Sequence, residues 1–141
     1  MTWLFYALLA ALTASLATLF TKLGVNNLSP SLAGTLKAII MAIFFIVISS
    51  YKGDFSNFGD ILNHKKDLIY LILTGVCGAL SWYFMNIALK HGKVTQVAPI
   101  DKLSIVLTVI LAAIFFKEGL SIKAFIGVVM IGIGALLVAL F

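Results

Sequence analysis

Apolar residues fill five long runs of this chain, and polar residues collect in the short stretches between them. Residues 3–20, 68–89 and 124–141 each proceed without an Asp, Glu, Lys or Arg. That matches the roughly 18 to 20 residues a helix needs to cross a hydrocarbon core of about 30 Å. Residues 30–51 carry one charge, Lys37, and residues 94–116 carry Asp101 and Lys102 early in the run. Both qualify as spans with polar interruptions. A membrane barrel would need many strands of about 10 residues alternating apolar and polar, and these runs do not alternate. The pattern therefore predicts an all-α polytopic membrane protein. It has one five-helix domain over residues 1–141, with spans at about 3–22, 30–51, 67–90, 94–116 and 121–141.

Composition agrees. With 62% hydrophobic and 11% charged residues, and a mean hydropathy of +1.17, there is too little polar surface for a water-soluble globule. The first run lacks the basic leader of a signal peptide and is longer than an ordinary h-region, so it reads as a transmembrane helix. Cys77 has no partner cysteine and reads as a small packing residue. No Cys/His spacing suggests a metal, and no motif calls for a cofactor.

The connections carry turn chemistry: Gly24 to Pro30 between the first two spans, and Lys117-Glu118-Gly119-Leu120-Ser121 between the last two. Between residues 52 and 66, Phe55, Phe58, Ile61 and Leu62 have the spacing of a helix lying in the membrane interface. His64 and His91 fall in connections, and Glu118 reads as a turn or helix-start residue rather than a base. With the N-terminus on one face, that face holds Lys52, Lys65, Lys66, Lys117 and Lys123, against Lys22, Lys90 and Lys93 on the other. Five against three favours a cytoplasmic N-terminus only slightly and leaves room for insertion both ways. The net charge of +5 fits loop lysines near anionic lipid heads, and nothing resembles a nucleic-acid-binding pattern.

Small residues mark where helices can approach closely. Ala7, Ala11 and Ser15 form one stripe, and Thr74, Gly75, Gly78 and Ala79 a second. In the last span Gly127 and Gly134 share a face, with Ala124 and Ala135 beside them. These faces serve either packing within one subunit or, for Gly127, Gly134 and Ala135, a subunit interface.

Polar groups inside the spans are candidates for function, because an unpaired charge near the bilayer centre costs about 2.5–3.5 kcal/mol on insertion scales. Lys37 lies seven residues beyond Pro30, roughly 10 Å along a helix axis, and either snorkels as an anchor or faces a cavity. Asp101 and Lys102 follow Pro99 and point about 100° apart on a helix, so at least one should face inward. Asp101 could instead complement a helix N-terminus, and Lys102 a neighbouring carboxylate or lipid phosphate. Ser81, Trp82, Tyr83 and Asn86 offer a substrate wall of hydrogen-bonding and aromatic groups, or Trp82 and Tyr83 are belt residues.

These residues carry a resemblance. Ala88-Leu89, then Val97-Ala98-Pro99-Ile100-Asp101-Lys102-Leu103-Ser104, an apolar run, Lys117-Glu118-Gly119-Leu120-Ser121 and a glycine-bearing last span resemble the EamA domain of the drug/metabolite transporter superfamily. Family members often carry an arginine in the second helix where this chain has Lys37. The resemblance implies two five-helix repeats of opposite orientation enclosing a substrate path. These 141 residues hold one repeat, so it further implies an antiparallel homodimer or a homologous half-transporter subunit as partner.

The function it points to is a secondary transporter of a small metabolite. Lys37, Asp101 and Lys102 would form its polar centre, with Ser81, Trp82, Tyr83 and Asn86 as its wall. Two subunits would set four cations against two anions, favouring an anionic or zwitterionic solute. The first span lacks the glutamate of the related small multidrug-resistance transporters, which argues against a cationic drug. Asp101 is the acidic residue placed to carry a coupled proton. Such a protein would sit in a prokaryotic cell membrane among its lipids. The alternative is a non-transporting subunit or scaffold that binds lipid head groups. An enzyme has little support, since no span pairs a nucleophile with a base.

Overall fold

In lipid a backbone must satisfy its own polar groups, and these apolar runs do so as helices. The computed structural model describes residues 2–56, 59, 64–117, 119 and 121–141. The elements are α1 (Thr2–Gly24), α2 (Pro30–Lys52), α3 (Lys65–His91), α4 (Val94–Asp101), α5 (Leu103–Phe115) and α6 (Ile122–Leu140). Among the described residues, five helical stretches are long and apolar enough to cross a membrane, with α4 and α5 together making the fourth, Val94–Phe115. The expected interfacial helix rests on Phe58, Ile61 and Leu62, and the turn role of Glu118 on that residue; all four lie outside the described residues.

Helix ends fall where local chemistry stops the ladder. Ser29 caps α2 by accepting from the Leu32 N–H at 3.2 Å, with Pro30 at the first helical position. There a missing N–H costs nothing. At the other end Gly53 adopts φ 75°, a left-handed conformation that glycine takes without strain, and its N–H returns to the Ser49 and Ser50 carbonyls. Ser121 caps α6 by accepting from the Ala124 N–H. In α1 the hydroxyls of Thr13, Ser15, Thr18 and Thr21 each donate to the carbonyl four residues back, at 2.7 to 2.9 Å.

The fourth span is jointed. Pro99 sits inside α4 and has no N–H to offer the Thr95 carbonyl, which loosens the ladder there. Three residues on, the Lys102 N–H bonds to the Pro99 carbonyl at 3.0 Å, and the Lys102 carbonyl receives the Ile105 N–H, both tight i to i+3 bonds. The break therefore falls at Lys102, well inside the span rather than at its first turn.

The chain divides into two compact units, residues 1–22 with 91–141, and residues 23–90. In the first, α6 packs on both α4 and α5. A methyl group added at Gly132 would stand 3.5 Å from the Val106 Cγ2, so α6 approaches α5 at van der Waals distance there. Gly132→Leu is expected to wedge the pair apart and cost about 1–3 kcal/mol. Its check is loss of thermal stability in detergent relative to Gly132→Ala, and equal melting of the two variants would remove this contact as a packing point. Large apolar side chains face outward on every span, for example Ile40 at 66% and Leu71 at 66% exposure. Lipid is their solvent.

Candidate substrate site

The second unit contains a cavity between α2 and α3 of about 710 Å³, within the range of small-molecule sites. Its walls follow from residue size. Gly34, Ala38 and Ala42 recur at helical spacing on α2, and Gly75, Gly78 and Ala79 do so on α3, so the facing surfaces are smooth. Phe45 and Met41 add bulk on α2, and Trp82 and Tyr83 on α3. Both threonine hydroxyls in the wall are turned to their own helices: Thr35 donates to the Ser31 carbonyl and Thr74 to the Tyr70 carbonyl. The wall is thus mainly apolar.

Charge enters through Trp82. The Lys37 ammonium stands 5.5 Å from the centroid of its ring, inside the roughly 6 Å reach of a cation–π contact. Such a contact contributes about 0.5–2 kcal/mol. Lys37 is half-buried, and Tyr83 lines the cavity while packing on Phe84 with ring centroids 5.8 Å apart.

The other expected wall residues are placed differently. Ser81 is exposed and does not line the cavity. Asn86 is completely buried; its Nδ2 donates to the Pro30 carbonyl at 3.1 Å, fastening α3 to the first turn of α2. Its Oδ1 finds no hydrogen-bond partner among the described residues, a burial that costs about 1–3 kcal/mol. Lys90, one turn along, donates from its Nζ to the Leu28 carbonyl at 3.0 Å. In the first unit, Lys22 does the same for the Gly92 carbonyl. Sequence reasoning counted these lysines only as loop charges. The four-residue spacing of Asn86 and Lys90 puts both on one face of α3, but their partners are the backbone carbonyls of Pro30 and Leu28.

Asp101 and Lys102 belong to the first unit and meet each other across the joint, with Lys102 Nζ donating to Asp101 Oδ2 at 3.4 Å. Sequence neighbours on a regular helix point apart, and the break at Lys102 lets these two converge. Their side chains are 37% and 55% exposed, so both remain accessible to a partner or a solute. Of the proposed interface residues, Gly127 and Gly134 have open space where a side chain would stand, whereas Ala135 is buried within the chain.

Five apolar helical spans with charges set inside them define a multi-pass integral membrane protein. The chain belongs to the EamA-like transporter family, whose model matches residues 1–140. It is 34% identical over 139 residues to the protein named "Uncharacterized transporter in cobO 3'region" of a Sinorhizobium species, covering 99% of this chain and 97% of that one. A Methanocaldococcus jannaschii protein, named as uncharacterized, is 29% identical over 135 residues, covering 94% of this chain and 93% of the other. No solved structure matches the chain significantly.

Proposed function

We propose that this chain is a non-enzymatic secondary transporter subunit that moves a small anionic or zwitterionic metabolite, working as a dimer of oppositely oriented five-helix repeats. The observation that carries the reading is the cavity of about 710 Å³ whose Trp82 wall holds the Lys37 ammonium. A mostly apolar cleft with a cation over the ring of its lining residue Trp82, though Lys37 itself does not line the cleft, suits a solute with an anionic head and a compact body. Family membership supports transport. The Sinorhizobium relative is matched over 97% of its own length, which supports a working unit of this size that joins a second one. The open faces at Gly127 and Gly134 suit contact with a second copy or a homologous half-transporter. Both relatives come from prokaryotes, which supports a prokaryotic cell membrane as its place.

The test is uptake by proteoliposomes containing the purified protein, offered a panel of labelled amino acids, carboxylates and cationic dyes. Concentrative uptake of an anion or zwitterion supports the reading. Uptake confined to the dyes overturns the charge argument, and none with any solute favours a lipid-binding scaffold. In parallel, single cysteines at Gly127 and Gly134 in a Cys77→Ser background should crosslink in native membranes, with both termini labelling from both faces. One orientation without self-crosslinks would remove the antiparallel homodimer.

A further inference from the structure

The fastening between α2 and α3 is confined to one end of the cleft. Asn86 Nδ2 reaches the Pro30 carbonyl and Lys90 Nζ reaches the Leu28 carbonyl, while the cavity begins at Pro30 and Tyr83 and continues down to Phe45 and Thr74. Tight packing in this unit has the same location: Val25, Asn86 and Leu89 are essentially without exposure. Over the remaining length, small residues face one another across open space.

Three details separate this fastening from ordinary packing. Its bonds run from side chains to backbone carbonyls rather than between side chains. The Pro30 carbonyl also receives the Gly34 N–H by helix register, so losing Asn86 does not leave it bare. Finally, the buried Asn86 Oδ1 lacks a partner among the described residues, which makes the fastened state less favourable than a fully satisfied one. A polar fastening at one end of a cleft, with a buried acceptor unmet, is a place where a second arrangement would gain a hydrogen bond.

We infer that Asn86 and Lys90 form a gate latch, closing one end of the α2/α3 cleft and releasing it during the transport cycle. Gly34 sets the fit of the latch. A methyl group there would stand 3.3 Å from Asn86 Nδ2, closer than ordinary contact, so the amide would have to withdraw. The latch takes no part in recognising the solute; it decides which end of the cleft is open. The inference rests on the transport reading for its purpose.

Pulsed electron-spin distances test it in the whole chain, reconstituted without solute in a Cys77→Ser background and diluted with unlabelled subunits. One label pair, Leu32→Cys with Phe84→Cys, reports the latched end. A second, Ile46→Cys with Leu73→Cys, reports the far end. Asn86→Leu and Lys90→Met are expected to move population to a latch-end distance longer by about 5 Å, near one helical turn, while the far-end distance shortens. Gly34→Ala should give a smaller shift in the same sense. Unchanged distances in all three variants overturn the latch. Lengthening at both ends overturns it equally, because a mere fastener that fails lets the helices part everywhere. Failure of the parent protein to take up any solute removes the transport reading and leaves these distances to decide the latch.

Discussion

Lys37→Met is expected to lower solute uptake by roughly 10- to 100-fold, with Lys37→Arg retaining a substantial part. Hydrogen bonds to charged groups contribute about 1.5–3 kcal/mol, and each 1.4 kcal/mol is a factor of ten. Methionine keeps the length and apolar stem of lysine and removes only the ammonium, so the cavity should keep its shape. Arginine keeps the charge and also stacks on aromatic rings, which preserves the relation to Trp82. The loss should appear mainly as weaker apparent affinity, since the contact forms in the bound state. Only two tryptophans exist, Trp3 and Trp82, so Trp3→Phe leaves Trp82 as the sole indole reporter. Its emission should change on solute addition in the parent and not in Lys37→Met. Full uptake by Lys37→Met would make Lys37 an anchor for the helix.

The second large effect concerns energy coupling. Asp101→Asn is expected to abolish uptake driven by a pH gradient while sparing exchange of labelled for unlabelled solute. Asparagine preserves shape and hydrogen bonding but cannot carry a proton. Exchange needs no net proton movement, so the two assays separate coupling from binding. Gradient-driven uptake surviving in Asp101→Asn would remove Asp101 as the coupling site.

Much of the architecture was legible because lipid imposes a simple rule on backbone and length. Three of the five spans follow from uninterrupted apolar runs and two from runs broken by one or two charges, and Ser29, Gly53 and Ser121 stand at helix ends for local reasons. The site was legible in part. Trp82 and Tyr83 announced themselves as aromatic groups within a span, and both line the cavity. The pairing of Lys37 with Trp82 depends on the register between α2 and α3, which no single-helix pattern encodes. The same limit hid the roles of Asn86 and Lys90, whose partners are backbone carbonyls and leave no mark in residue types. Pro99 signalled an irregularity, but its position inside α4 and the break at Lys102 depend on how the freed ladder resettles.

One further property lies in α1. Four of its hydroxyls, those of Thr13, Ser15, Thr18 and Thr21, each give a proton to a carbonyl of their own helix. Along Ala7, Ala11 and Ser15 the helix presents small side chains turn after turn, so a neighbour shifted by one turn would meet a similar surface. Its C-terminal end differs, because Lys22 Nζ holds the Gly92 carbonyl at 3.0 Å. Chemically, α1 is a bearing tethered at one end: it offers area for close approach along its length and fixes its position at Lys22.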